Sequence, residues 1–183
     1  QLTKRLGVDT TKKIVVFPHR PDPDKGFLVA LAALKYALQY DPNLLLLIPE
    51  PPKSVKAVRT RESDFFSYLR DEVKKLNLED YVIFHPWINI GEMPEYYSLA
   101  DYCLALSNLP EGFGLSMLQP ISCLTPVIST PAGAVSELLP ENHGIKLVPF
   151  DDVEMIAAEL LDTPCDDSAQ NGRDYIKKNY DLS

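Results

Sequence analysis

The stretch that decides the fold runs from residue 13 to residue 48 and reads KIVVFPHRPDPDKGFLVALAALKYALQYDPNLLLLI. In Lys13–Phe17, every residue after the lysine is β-branched or aromatic, and a proline ends the run. This pattern predicts a buried strand. Residues 27–40 are apolar nearly all round and too long for a strand, which predicts a buried helix. Leu44–Ile48 follows a turn of Asp, Pro and Asn and predicts a second buried strand. This order of strand, helix and strand is typical of a parallel sheet.

The same alternation continues to the end of the chain. Six short strands alternating with helices predict an α/β fold, with a doubly wound, Rossmann-like parallel sheet and helices on both faces. We expect a single domain over residues 1–183. The further strands are predicted at 81–84, 102–106, 126–128 and 144–148, and the further helices at 65–76, 94–99, 113–123, 134–139, 153–161 and 169–179.

The loops that follow the strands are the segments in which function is expected. In doubly wound sheets, ligands bind at the carboxyl ends of the strands, where the strand order reverses. The candidate segments are therefore residues 18–26, 49–62, 85–93, 107–113 and 129–134.

The composition excludes several classes of protein. Hydrophobic residues make up 45% of the chain and charged residues 24%, which is typical of a globular domain. The longest apolar run, Leu44–Ile48, is far too short to span a bilayer. The net charge is −8 and the lysines and arginines are scattered, so no basic face for nucleic acid is expected. A local pair of cations can still bind a phosphorylated small ligand.

The cysteines and the start of the chain bear on its origin. No pair among Cys103, Cys123 and Cys165 has C-x-x-C spacing, and the first two lie in apolar segments. We therefore expect reduced thiols in a cytoplasmic protein. The polar opening residues do not resemble a signal peptide, and the first residue is Gln rather than Met. The chain is expected to be a piece of a longer protein.

Residues 109–119, LPEGFGLSMLQ, follow the fourth predicted strand and lead into a helix. Gly112 and Gly114 let the main chain approach a bulky anion without a Cβ in the way. The N–H groups of residues 113–116, at the start of the helix, can then bind a phosphate. A dinucleotide fingerprint is excluded, because Met117 stands where the third glycine is required and the motif does not follow the first strand.

Residues on both sides extend this motif: Glu111-Gly-Phe-Gly-Leu is followed by a helix and by residues 125–138, TPVISTPAGAVSEL. Together they resemble the group 1 glycosyltransferases, the glycogen-synthase-like retaining branch of the GT-B fold. That family has a Glu, Gly-Phe-Gly, a second Glu eight positions after the first, a Pro-Val-Ile strand and a Gly-Gly-x-x-Glu turn. Residues 17–26 resemble its loop with Arg and Lys-Gly, and residues 83–101 its Tyr-x-x-Ala-Asp helix end. The resemblance covers roughly residues 10–163.

The resemblance implies the nucleotide-sugar-binding C-terminal domain of a two-domain enzyme. Such an enzyme transfers a hexose from a nucleoside-diphosphate sugar to an acceptor hydroxyl, with retention of configuration and without a metal ion or cofactor. Arg20 and Lys25 would be catalytic by stabilising the departing diphosphate, and Glu111 by positioning the donor sugar. The expected donor-binding residues are Gly112, Phe113, Gly114, Leu115, Gln119, Trp87 and His19.

Three positions depart from the family pattern. Gln119 replaces the second Glu, which accepts hydrogen bonds from both ribose hydroxyls. An amide can accept one bond and donate another, so we expect the ribose contact to persist with a weaker or altered preference. Pro120 removes a helical N–H group and favours a kink if the helix runs through it. Leu124-Thr125 stands where the family often has Gly before Pro-Val-Ile.

Several side chains in the candidate loops have more than one interpretation. Trp87 could cover an aromatic base or pack against the sheet edge, while His19 is a candidate for phosphate contact. His85 is expected to be a structural histidine with its hydrogen bonds satisfied. Asp22-Pro-Asp24 has the spacing of a metal-binding D-x-D motif. We discount a metal, because the loop is rich in proline and Asp24 is placed to cap a helix that begins near Lys25.

The expected partners are a nucleotide-sugar donor and a glycan or lipid-linked acceptor, but no nucleic acid. The acceptor, and any peripheral membrane association, would be handled by an N-terminal domain outside this chain. We therefore expect the isolated chain to be inactive alone. Two alternatives stay open: a catalytically decayed scaffold that still binds a nucleotide sugar, and a phosphorylase or epimerase of the same architecture.

Overall fold

The computed structural model describes residues 1–51, 59–109, 114–133, 135–140 and 142–180. Within these ranges, no helix is long and apolar enough to cross a bilayer. The strands are β1 (Lys13–Val16), β2 (Leu44–Pro49), β3 (Val82–His85), β4 (Tyr102–Ala105), β5 (Val127–Ser129) and β6 (Ile145–Leu147). The α-helices are α1 (Leu2–Leu6), α2 (Phe27–Ala37), α3 (Arg59–Lys75), α4 (Met93–Ser98), α5 (Leu115–Ser122), α6 (Val135–Leu138), α7 (Val153–Leu161) and α8 (Asp166–Tyr180).

The strands form one parallel sheet in the order β3-β2-β1-β4-β5-β6. Parallel strands need crossover connections, so helices cover both faces of the sheet. One hydrophobic core packs α2, α3 and α7 on one face, and a second packs α1, α4, α5 and α8 on the other. The interior strand β2, between β3 and β1, is buried over its whole length. The doubly wound α/β fold expected from the sequence is confirmed.

The strand order reverses between β1 and β4. The chain leaves β1 toward α2 on one face, and it leaves β4 toward α5 on the opposite face. The two connections therefore diverge at the carboxyl edge of the sheet and leave a crevice between them. This is the position at which doubly wound folds bind their ligands.

The predicted strands agree with the observed ones to within one residue at each end, whereas some helix ends differ. α2 ends at Ala37 rather than Tyr40, because residues 38–40 form a turn. α8 begins at Asp166, before its predicted start. The sequence did not predict α1, since this five-residue helix offers only two buried apolar residues, too few to show a helical period. All three cysteines are free, with Cys103 buried.

The prediction that Asp24 caps a helix is wrong. Asp22 provides the cap instead, because its Oδ1 accepts a hydrogen bond of 3.0 Å from the N–H of Asp24 at the start of a short 3-10 helix, Pro23–Lys25. α2 begins only after Gly26, which has a φ of +71°. A Cβ at this position would lie 2.7 Å from the Cβ of Leu106, just beyond β4. Glycine is therefore required here both by the left-handed backbone and by the close approach to β4.

Two helices end in the same way with different residues in the left-handed position. After α5, the N–H of Leu124 donates to Ile121 and the N–H of Thr125 donates to Pro120, each at 2.9 Å. This is a Schellman motif, in which glycine is the preferred left-handed residue. Leu124 occupies that position with a φ of +66°. After α3 the equivalent residue is Asn77, with a φ of +57°, and asparagine tolerates this conformation far better than leucine.

We predict that Leu124→Gly stabilises the domain. A left-handed conformation costs a residue with a side chain about 1–2 kcal/mol, and part of this gain is offset by the larger chain entropy of glycine in the unfolded state. The free energy of unfolding should rise by about 1 kcal/mol in urea denaturation. Leu124→Ala is the control, because it keeps the Cβ and should leave the free energy nearly unchanged. An equal gain in both variants would assign the effect to the exposed side chain instead.

Candidate functional site

The loop after β1 contacts the end of β4 directly. The N–H of Asn108 donates to the carbonyl oxygen of Asp24 at 3.3 Å, and Gly26 packs on Leu106. Lys25 lies between these two contacts and is half-buried, so it sits beside the crevice at the strand reversal. Arg20 is on the same loop and is exposed.

Only part of the glycine-rich motif lies within the described residues. Glu111, Gly112 and Phe113 fall outside them, so their positions are expectations from the sequence alone. Gly114 is described and precedes α5 with a φ of +72°. An added Cβ would lie 2.4 Å from the terminal methyl group of Met117, so glycine fits the left-handed turn from which the helix starts.

Leu115 and Gln119 lie one turn apart on the outer face of α5. Leu115 is 58% exposed, and Gln119 is exposed as well. The side-chain Oε1 of Gln119 accepts a hydrogen bond of 3.4 Å from the hydroxyl of Tyr97 on α4. Burial raises the pKa of Tyr97 far above its usual value, so this hydroxyl keeps its proton at all physiological pH values. With its oxygen engaged by Tyr97, the amide of Gln119 has its NH₂ group left to offer a ligand.

Gln119 and Tyr97 border a groove of about 360 Å³ that lies between α4, α5 and α8. Its wall is mostly apolar, and Ile90 and Met93, from the segment after β3, are among the lining residues. Ile90 is 85% exposed, which is unusual for an isoleucine. α5 runs through Pro120, as considered from the sequence, and Pro120 itself is buried.

Trp87 lies at the carboxyl edge of the sheet. It borders a crevice of only about 10 Å³ with Pro18, two residues beyond β1, and Pro49, the last residue of β2. Its side chain keeps 37% of its surface exposed. His19 lies on the neighbouring loop, half-buried, with its ring edge-on to Phe17 at 5.5 Å.

His85 is a structural histidine, as expected. It is 1% exposed, and its ring nitrogens contact the hydroxyl of Tyr96 at 2.9 Å and the carbonyl oxygen of Pro86 at 2.8 Å. Burial is the main cause that lowers the pKa of His85. The pair joins the end of β3 to α4 and so holds the two ends of the loop after β3.

Buried hydroxyl groups at the carboxyl edge were not foreseen. Ser107, Ser129 and Thr130 are at most 3% exposed, and the hydroxyls of Ser129 and Thr130 bond to main-chain groups of β4 and of the segment after it. The only sequence signal is that each is a small hydroxyl residue at or next to the end of an apolar strand. Within the described residues, no group of three or more His, Cys, Asp or Glu side chains is arranged to hold a metal ion.

A doubly wound sheet with a cation-bearing loop and a glycine-led helix at its strand reversal defines a Rossmann-like domain of the GT-B class. The family model described as Glycosyl transferases group 1 matches residues 1–180. The chain therefore belongs to the group 1 glycosyltransferases, as the motif at Glu111 implied.

Individual relatives agree with this assignment. The lipopolysaccharide core biosynthesis mannosyltransferase LpsB of Rhizobium meliloti is 30% identical over 97% of the chain, which spans 50% of that enzyme. Sucrose-phosphate synthase from Thermosynechococcus elongatus superposes with a TM-score of 0.83 at 26% identity, over 98% of this chain and 44% of that one. The C-terminal domain of LpcC from Francisella tularensis has a TM-score of 0.73 at 26% identity, over 94% of this chain and 87% of that one. The chain thus spans about half the length of a full relative.

We predict that His85 makes stability depend on pH. Its pKa is lowered from 6.5 in the folded state, so the unfolded chain binds a proton first as the pH falls. The stabilisation is therefore complete above pH 6.5 and is lost as the pH falls toward the folded pKa. Denaturation at pH 7.5 and 5.5 should show this decline, and His85→Gln should make it shallower. Equal slopes in the wild type and in His85→Gln would contradict the assignment.

Proposed function

We propose that the chain is the donor-binding domain of a retaining glycosyltransferase that transfers a hexose from a nucleoside-diphosphate sugar. The observation that carries the proposal is the contact between two loops at the strand reversal. The loop that bears Arg20 and Lys25 is hydrogen-bonded, through Asp24, to the segment that leads into Glu111. Family membership favours glycosyl transfer over the phosphorylase or epimerase alternative.

In this proposal, charge develops on the diphosphate as its bond to the sugar breaks. Arg20 and Lys25 supply the positive charge that stabilises it, assisted by main-chain N–H groups of residues 112–115. Because protein cations take this role, we propose that no divalent metal is needed. Glu111 positions the sugar at the bond that breaks. Retention follows if the acceptor attacks from the face that the diphosphate leaves.

The nucleoside would lie along the outer face of α5. We propose that the NH₂ group of Gln119 binds a ribose hydroxyl, since its oxygen is already engaged by Tyr97. The loop of residues 85–93 would hold the base, with Ile90 and Met93 offering apolar surface in the groove. We propose that His19, on the loop after β1, contacts the phosphates.

The acceptor, a glycan or a lipid-linked sugar, would bind to the part of the protein outside this chain. We therefore propose that the isolated chain binds donor nucleotides but does not catalyse transfer. Any association with a membrane would depend on that other part. We propose a cytoplasmic location, in keeping with the three free cysteines.

A donor-binding scaffold is the second candidate, favoured by the loss of the ribose-binding carboxylate at Gln119. A scaffold would bind a nucleotide sugar without consuming it. If the longer protein is an enzyme, it should release nucleoside diphosphate when it is supplied with a nucleotide-sugar donor and an acceptor. A scaffold should release none.

We predict that the cations of the loop after β1 bind the diphosphate. Among UDP, GDP and ADP, at least one should bind the chain in calorimetric titration with EDTA present. Arg20→Ala and Lys25→Ala should each weaken that binding at least about tenfold, because each removes a charge-assisted bond of about 1.5–3 kcal/mol. Affinity for the matching nucleoside, which lacks phosphates, should not change. Lys35→Ala removes the same charge near the far end of α2 and serves as control. If all three variants bind the diphosphate alike, the assignment fails.

We also predict that Gln119→Glu strengthens nucleoside binding. A carboxylate accepts bonds from both ribose hydroxyls, and charge-assisted bonds are stronger than neutral ones, so the gain should be about 1 kcal/mol or fivefold. The gain should vanish with the 2′-deoxy and 3′-deoxy nucleosides. Ser122→Glu places the same charge on the same groove one turn further along α5 and should give no gain. A gain that survives loss of the ribose hydroxyls would contradict the proposed contact.

A further inference from the structure

We infer that Thr130 is a positioning residue for the diphosphate-binding edge of this domain. Just beyond the end of β4, the Thr130 side chain takes the place of a main-chain hydrogen-bond partner. It thereby fixes the path of the segment that contacts the loop of Arg20 and Lys25. The inference rests on the donor-binding function proposed above.

Thr130 bonds to both main-chain groups of one residue. Its Oγ1 accepts a hydrogen bond of 2.9 Å from the N–H of Ser107 and donates one of 2.7 Å to the carbonyl oxygen of the same residue. Thr130 is 1% exposed and Ser107 is 3% exposed, so water does not compete for these bonds. The paired residues of β4 and β5 end at Ala105 and Ser129. The hydroxyl of Thr130 thus continues the pairing beyond the end of the ladder.

Ser107 carries this restraint to the crevice. Its Oγ donates to the carbonyl oxygen of Leu109 at 3.0 Å and accepts from the N–H of Leu109 at 3.3 Å. Between them, the N–H of Asn108 donates to the carbonyl oxygen of Asp24 at 3.3 Å, and the Ser107 hydroxyl reaches the same oxygen at 3.5 Å. A continuous series of hydrogen bonds therefore runs from β5, through the segment after β4, to the residue before Lys25.

Among the described residues, removing the Thr130 hydroxyl would leave two buried main-chain groups of Ser107 without a hydrogen-bond partner. Buried polar groups strongly favour finding a partner, so the segment of residues 107–109 would shift toward water or toward other groups. Binding of a diphosphate depends on cations and N–H groups held in fixed positions, and small displacements are costly. We therefore expect the affinity for the phosphates to fall, while the contacts to the base and ribose stay unchanged.

The chain provides a matched control on the opposite edge of the sheet. Thr125 is also 1% exposed, and its Oγ1 donates a hydrogen bond of 2.7 Å to the carbonyl oxygen of Tyr97. It precedes β5 at the amino end of the strand, whereas Thr130 follows the carboxyl end. Thr→Val at either position keeps the shape and removes a buried hydroxyl, so a purely structural role predicts lower stability for both and a selective loss of diphosphate affinity for neither.

The test compares Thr130→Val, Thr130→Ser and Thr125→Val by calorimetry, using the nucleoside diphosphate among UDP, GDP and ADP that the wild type binds, and its nucleoside. Urea denaturation of each variant gives the stability. Both valine variants should be less stable than the wild type. Only Thr130→Val should weaken diphosphate binding, by about tenfold or more, while nucleoside affinity stays unchanged. Thr130→Ser should restore diphosphate affinity, because it keeps the hydroxyl.

Equal diphosphate affinity in Thr130→Val and Thr125→Val would overturn the inference. If Thr130→Val does not fold, Ser107→Ala answers the same question, since it keeps the bonds to Thr130 and removes the link to Leu109. It should weaken diphosphate binding about threefold, and wild-type affinity in this variant would overturn the inference. A wild type that binds none of the three diphosphates would instead overturn the proposed function on which the inference rests.

Discussion

The close contact between Gly26 and Leu106 is the constraint on which the carboxyl edge of this sheet depends. β1 and β4 are neighbours, yet the chain must leave them for helices on opposite faces. A side chain at Gly26 would meet the Cβ of Leu106 at 2.7 Å and the ring of Phe150 at 3.1 Å. Glycine lets the two connections pass within contact distance before they diverge. Lys25 is thereby held against the end of β4, and the crevice keeps its shape.

Hydroxyl groups form hydrogen bonds to the main chain at that edge. The chain carries a net charge of −8, so its overall field would repel a diphosphate, and the diphosphate binding proposed above would depend on a few cations and N–H groups placed close to the ligand. Such short-range binding requires fixed positions. Ser107 and Thr130 provide them without adding charge, because a buried hydroxyl can satisfy a main-chain donor and acceptor at once. An apolar residue at either position would leave main-chain groups unsatisfied.

The sequence predicts the sheet well because burial controls it. Runs such as Leu44–Ile48 are apolar on both faces, and only the interior of a parallel sheet accommodates them. The family motif predicted a ligand edge at the loops after β1 and β4, and the structure brings these two loops into contact. What escaped prediction depends on which residues meet in three dimensions. Asp22 rather than Asp24 caps the 3-10 helix because Gly26 delays the start of α2, and Thr130 meets Ser107 only because β4 and β5 are adjacent.

Gln119 and Leu124, the departures that favour a decayed site, act on different properties of the molecule. Leu124 lies at the amino edge of the sheet, beyond the end of α5, and its left-handed backbone affects stability far from any phosphate. Gln119 lies on the proposed donor side. Its amide oxygen accepts a hydrogen bond from Tyr97, which orders the side chain. Decay would be expected to relax several contacts of the site together. Here the buried hydrogen bonds between Thr130 and Ser107 are intact, and in the proposed ribose contact a carboxylate acceptor would be replaced by the NH₂ group of Gln119. That pattern favours an altered ribose preference over a lost function.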